Sequence, residues 1–137
     1  MFQTTIHLKT SGEGDVIDIT PFVSDAVVKS GADTGIVHLF VVGSTAALTT
    51  IEYEPGAVSD LRTVLSRIAP ADATYAHDDR WGDGNGRSHV RAAIIGPSLS
   101  IPFAEKRLLN GTWQQIVLCE LDIRHARERS VLLTILP

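Results

Sequence analysis

Two histidines, His77 and His89, lie in a polar stretch with Tyr75, Asp78, Asp79, Asp83 and Asn85. Imidazole nitrogens with carboxylate oxygens between them can bind a divalent metal. The eleven residues between the two histidines fit no standard zinc spacing. No glutamate stands at the twelfth position that a calcium-binding EF-hand loop requires. Asp and Asn among glycines are also ordinary turn chemistry, so both readings stand. A second group, Gly43-Ser44-Thr45-Ala46, breaks an apolar run. Small residues let a ligand approach the backbone, and two hydroxyls plus free N–H groups can hold an anionic oxygen. A β-bulge or turn uses the same residue types. A third group is Glu52 with Glu54, two apart and so on one face of a strand. Facing a core, they would have to ligate a cation or serve as acid and base. Facing water, they would guard a strand edge. The fourth is Gly111-Thr112-Trp113-Gln114-Gln115, where the indole can line a pocket, stack on a heterocycle, or pack into a core or a subunit interface. His38, inside an apolar run, reads as a packed and hydrogen-bonded histidine. Cys119 reads as a buried small hydrophobe. The basic cluster Arg124, His125, Arg127 and Arg129 reads as a solvated hairpin tip within reach of a phosphate.

These side chains need elements to hold them. Alternation over 2–9 puts Phe2, Thr4, Ile6 and Leu8 on one face, which predicts a strand. A turn follows at 11–14, then a short strand at 15–19. Thr20 as N-cap with Pro21 in the first turn predicts a helix whose stripe is Phe22, Val23, Ala26 and Val27, stopping at Gly31. The β-branched run 36–42 predicts an interior strand, and 45–53 a second. Val58, Leu61, Leu65 and Ile68 recur at helical spacing and stop before Pro70. Residues 71–88 read as a long polar loop, of the kind that is usually functional or disordered. A short helix closed by Gly96 follows, then a strand at 98–103. Residues 113–121 and 131–136 read as a strand pair joined by a charged, exposed link. Two or three helices among at least six strands predict an α+β fold with a largely antiparallel sheet, as a single domain over residues 1–137.

Composition narrows the function classes. The chain has 137 residues, 44% hydrophobic and 20% charged, with Lys+Arg 12 against Asp+Glu 16. A net charge of −4 argues against a protein built to neutralise nucleic-acid phosphates. One cysteine excludes an intrachain disulfide and a Cys-rich zinc site. The absence of a long apolar run and of a basic N-terminal segment predicts a soluble cytoplasmic protein with no membrane partner.

The motifs in order are more specific than any one of them. The stretches GIVHLFVVGSTAALTTIEYEPG (35–56), Tyr75 with His77-Asp78, Asn85 through His89, IIGPSLSIPF (94–103) and GTWQQIVLCELD (111–122) resemble the YjbQ-like family, whose suggested activity is a secondary thiamine-phosphate synthase. The resemblance runs over nearly the whole chain. It implies a homotrimer with a site near the subunit interface. There His77, His89 and Glu52 would hold a divalent metal, zinc or magnesium, or act as acid and base. Ser44, Thr45, Asn85 and Trp113 would bind a phosphorylated small-molecule substrate. The implied reaction joins a hydroxymethylpyrimidine pyrophosphate to a thiazole phosphate. A hydrolase of another phosphorylated metabolite, or a metal- or metabolite-binding trimer without turnover, would use the same residues. One departure is visible: many members carry histidine where this chain has Gly43.

Overall fold

The computed structural model describes all of residues 1–137. Eight strands and four helices follow one another as β1 (Phe2–Lys9), β2 (Val16–Asp18), α1 (Thr20–Ser30), β3 (Thr34–Val41), β4 (Ala46–Ile51), α2 (Pro55–Ile68), α3 (Ala76–Trp81), α4 (Gly86–Ile95), β5 (Ser98–Ala104), β6 (Arg107–Leu108), β7 (Gln115–Glu120) and β8 (Glu128–Leu136). The strands form two antiparallel sheets. One has five strands in the order β1-β8-β3-β5-β6, the other three in the order β2-β7-β4. The α+β, antiparallel expectation holds.

Strand alternation builds the core. Val37, Leu39 and Val41 of β3 with Val131, Leu133 and Ile135 of β8 face inward from the large sheet. Leu48, Ile116 and Leu118 meet them from the small sheet, and Val23, Ala26 and Val27 of α1 close the side. The other face of the small sheet, through Ala47, Val117 and Cys119, packs on Val58 and Leu65 of α2 and Ala92 of α4. The small sheet is therefore covered on both faces. That explains why β7 reads as a nearly unbroken apolar run.

Several details differ from the sequence reading. Residues 71–88 are not one long loop: α3 and the start of α4 lie within them, which raises the helix count to four. Residues 113–121 and 131–136 are not a pair. β7 belongs to the small sheet and β8 to the large one, because the link between them crosses from one sheet to the other. Of the basic cluster in that link, Arg124 and His125 are exposed as a solvated tip would have them, whereas Arg127 is half-buried and Arg129 is 3% exposed, and the link joins two sheets and is not a hairpin. Thr20 opens α1 without capping it; its hydroxyl instead accepts the Ile116 amide at 2.8 Å and ties the helix to β7. Phe22 and Ile68, assigned to buried stripes, are about half exposed.

Three chain crossings between the sheets meet at one end of the core. They are residues 10–15 after β1, residues 42–45 between β3 and β4, and residues 121–127 between β7 and β8. At that end the inward position of β7 is Glu120 and that of β8 is Arg129, and the two form a buried ion pair.

Candidate site at the sheet crossings and the α3–α4 corner

The α3–α4 corner brings the histidines together. Their ring centroids lie 4.4 Å apart, tilted by 48°. His77 Nε2 is 3.2 Å from Asp83 Oδ1. The corner is set by backbone bonds to acidic side chains. Asp78 Oδ1 accepts the Gly86 amide at 2.8 Å, and Asp83 Oδ1 accepts the Asn85 amide at 3.1 Å. Gly86 is required here, because a Cβ on it would stand 2.5 Å from Tyr75 Cβ. Ligand atoms of His77, Asp78 and Asp83 can all lie within 4.8 Å of one another, a spacing one cation can bridge. The Asn85 amide and the His77 ring hold the Asp83 carboxyl below the ordinary carboxylate range. Asp83 therefore stays anionic, as a ligand or an ion-pair partner must.

Asn85 connects this corner to the sheet crossings. Its Nδ2 donates to Asp122 Oδ2 at 3.2 Å, while its Oδ1 accepts the Ile123 amide at 3.4 Å. Asp122 Oδ2 also accepts Thr45 Oγ1 at 2.9 Å and an N–H of Arg127, and Arg124 donates to both carboxylate oxygens at 3.1 Å. Burial alone would raise the Asp122 carboxyl. The Arg124, Thr45 and Asn85 hydrogen bonds overcome it and hold the group well below the ordinary range. Beside it, Arg129 donates to Glu120 through Nε at 2.8 Å and through Nη2, and Nη2 also donates to Thr45 Oγ1 at 2.8 Å. Thr10 Oγ1 completes Glu120 at 2.7 Å.

Within one chain, then, His77, Asn85 and Thr45 are joined through Asp83 and Asp122, and His89 adjoins them through its ring contact with His77. Ser44 is exposed beside Thr45. Glu52 and Trp113 stand elsewhere. Thr45 immediately precedes β4 and Glu52 immediately follows it, so six strand residues, roughly 20 Å, separate them. Glu52 and Glu54 do not share a strand face, because β4 ends at Ile51 and Glu54 caps α2, its carboxylate accepting the Gly56 and Ala57 amides. Trp113 is 73% exposed, in a groove with Glu52, Asp18 and Thr112. Of the side readings, His38 bonds Ser100 Oγ at 2.9 Å, and Cys119 is buried, its thiol pushed up to about 12. Sequence reasoning missed Glu120 and Asp122. Their signal was two carboxylates at i and i+2 closing the apolar run QIVLCELD, followed by three arginines within seven residues.

Comparisons with known proteins agree with one another. Residues 4–137 match the model of the family described as UPF0047 protein YjbQ-like. A UPF0047 protein of Methanothermobacter thermautotrophicus is 36% identical over 122 residues, 89% of this chain and 84% of that protein. The YjbQ protein of Salmonella typhimurium is 33% identical, over 98% of this chain and 96% of its own. The crystal structure of a hypothetical protein from Aeropyrum pernix superposes with a TM-score of 0.89 at 31% identity, covering 99% of this chain and 98% of that one. A Sulfolobus solfataricus structure, described as a protein of unknown function, gives 0.83 at 32% identity over 96% of each chain. No helix is long and apolar enough to cross a membrane. By its family match, sequence likeness and fold, this chain belongs to the YjbQ-like UPF0047 family.

Proposed function

We propose that this chain is a cytoplasmic, homotrimeric, metal-assisted enzyme acting on a phosphorylated small molecule. The observation that carries the reading is the joining of two kinds of group in one hydrogen-bonded assembly. Cation ligands and two imidazoles able to serve as acid and base stand at the α3–α4 corner. Through Asn85 and Asp122 they adjoin hydroxyls that can hold phosphate oxygens at 44–45. A divalent ion held by His77, Asp78 and Asp83, with His89 alongside, would stabilise charge on a departing phosphoryl or pyrophosphoryl oxygen. The mixed nitrogen and oxygen donor set suits zinc and also admits magnesium. Asn85 is 4% exposed, and its side chain is spent on Asp122 and Ile123. Its role in this reading is to position Asp122 and Thr45 and not to touch substrate. Glu52 and Trp113 would join the site only from a neighbouring subunit.

The trimer reading is supported by the outer face of the large sheet. Ile36, Phe40, Val42, Leu132 and Leu136 are each roughly half exposed there. Cross-strand pairing of Ile36 with Leu136 and of Phe40 with Leu132 makes them one patch.

The specific reaction we propose is the thiamine-phosphate synthase type, joining a hydroxymethylpyrimidine pyrophosphate to a thiazole phosphate with release of pyrophosphate. The test is product formation with magnesium, manganese or zinc, for the wild type and for His89→Ala. We expect metal-dependent product that falls at least a hundredfold in the folded variant. Unchanged turnover in folded His89→Ala would overturn the catalytic assignment. Stoichiometric metal with no product from either precursor would replace this reaction with hydrolysis of another phosphate ester or with simple binding.

A further inference from the structure

The turn between β3 and β4 leaves three consecutive amides without protein acceptors. Val42 N–H donates to the Ser130 carbonyl and Thr45 C=O accepts Leu121 N–H, but the N–H groups of Gly43, Ser44 and Thr45 donate to no backbone or side-chain atom. Successive free amides in a turn form a concavity that attracts anions. An arginine reaches the same place. Arg129 is 3% exposed and spends Nε and Nη2 on Glu120 and Thr45. Its remaining nitrogen, Nη1, donates to nothing in the chain. The one deeply buried side-chain polar atom without a partner is Ser88 Oγ, so Nη1 must reach solvent. It does so at Gly43, where an added Cβ would stand 2.9 Å from Nη1. Gly43 also takes φ +118°, a conformation that disfavours any side chain. The absence of a side chain at 43 therefore opens a notch with a guanidinium edge at its floor and free amides along its rim.

Local charge favours an anion in that notch. Glu120 and Asp122 supply two negative charges against Arg124, Arg127 and Arg129, which leaves one positive charge over. We propose that Arg129 is an anion-contacting residue, and that the Gly43–Thr45 amides with Arg129 Nη1 receive the phosphoryl group of the ligand. The proposal deepens the reading given above, by naming where the phosphate end of the ligand sits and which unforeseen residue holds it. A tetrahedral phosphoryl group suits the notch better than a planar carboxylate, because its oxygens can meet amides on one side and a guanidinium on the other.

The experiment is a titration of the metal-free protein with inorganic phosphate, followed through backbone amide shifts. We expect saturable, concerted shifts at Gly43, Ser44 and Thr45, and a much weaker response to acetate at equal ionic strength. Arg129→Lys keeps a cation beside Glu120 but lacks Nη1, and should weaken phosphate at least tenfold. Gly43→Ala should abolish the shifts by filling the notch. If either variant fails to fold, the wild-type titration still decides. Unsaturated drift spread over the Arg124 and His125 surface, or no shift at 43–45, overturns the proposal. Saturable shifts here, with no shifts at His77 and Asp83 when zinc is titrated into a second sample, would keep the notch and remove the metal reading. Metal uptake without phosphate shifts would do the reverse.

Discussion

At the scale of single residues, the Glu120–Arg129 pair shows how this protein puts charge inside a core. Glu120 is fully buried and Arg129 is 3% exposed, and every carboxylate oxygen of Glu120 is hydrogen-bonded, by Arg129, Thr10 or the Asp122 amide. Burial pushes the Glu120 carboxyl up, but these bonds outweigh it and bring it below the ordinary 4.5. Removing one partner of such a pair leaves the other charge buried and uncompensated. Glu120→Gln should therefore cost about 3–5 kcal/mol at pH 7, read as a drop in the urea midpoint. The pH dependence follows from the direction of the shifts. Glu120 and Asp122 both have folded values below their unfolded ones, so the unfolded chain takes up protons first as acid is added. Their stabilisation is whole above the unfolded values and fades as pH falls through the folded ones. The wild-type melting temperature should be level from pH 7 to about 5 and fall steadily below about 4. Glu120→Gln should show a shallower fall. An equally steep acid slope in that variant would assign the sensitivity to other carboxylates.

At the scale of elements, the informative contrast lies between what periodicity reveals and what it cannot. Strand β1 and helix α2 are legible from spacing alone, α1 from its Thr20-Pro21 start and Gly31 stop, and β3 from its β-branched run, although its outward Ile36 and Phe40 are about half exposed. The α3 helix is not legible. It has six residues and buries none of them, so no apolar period marks it. What fixes it is the corner, through Asp78 and Asp83 accepting amides of the next helix. Likewise the crossing from β7 to β8 looked solvated because it is charged. Its two carboxylates, Glu120 and Asp122, are buried and paired with Arg129 and with Arg124 and Arg127, which no one-dimensional pattern displays. The histidine cluster was half legible: residue types singled out His77, Asp83 and His89, but only the packing of α3 against α4 makes them neighbours. Gly86 is the hinge of that packing. Gly86→Ala would force the new methyl against Tyr75 and wedge α3 from α4. We expect a loss of about 1–3 kcal/mol, seen as a fall of several degrees in the melting temperature. Metal retained by the histidine corner after dialysis should drop at least tenfold. Full metal retention with the same stability loss would place the bound ion elsewhere.

At the scale of the whole molecule, the sandwich leaves an asymmetry. The small sheet is covered on both faces by the large sheet and by helices α2 and α4, whereas the large sheet has one covered face and one bare face. The bare face is mixed in character. His7 and His38 bond Ser130 and Ser100 there, next to the apolar patch of Ile36, Phe40, Leu132 and Leu136. A half-polar, half-apolar sheet face suits contact with another copy better than permanent exposure to water. It also bears on the site, since Glu52 lies about a strand's length from Thr45 of its own chain, with Trp113 in the same groove as Glu52. The double variant Phe40→Glu/Leu132→Glu tests both points. Each side chain is already about 43% exposed, so the isolated chain should fold with an unchanged circular dichroism spectrum. Light scattering at micromolar concentration should give a trimer mass for the wild type and a monomer mass for the variant. Wild-type protein that is already monomeric removes the trimer. If the monomeric variant also loses its metal, the corner needs a neighbour's ligand, and Glu52 is the first residue to substitute next. If it keeps the metal, His77, Asp78 and Asp83 hold the ion unaided, and subunit contact serves the organic part of the substrate through Trp113.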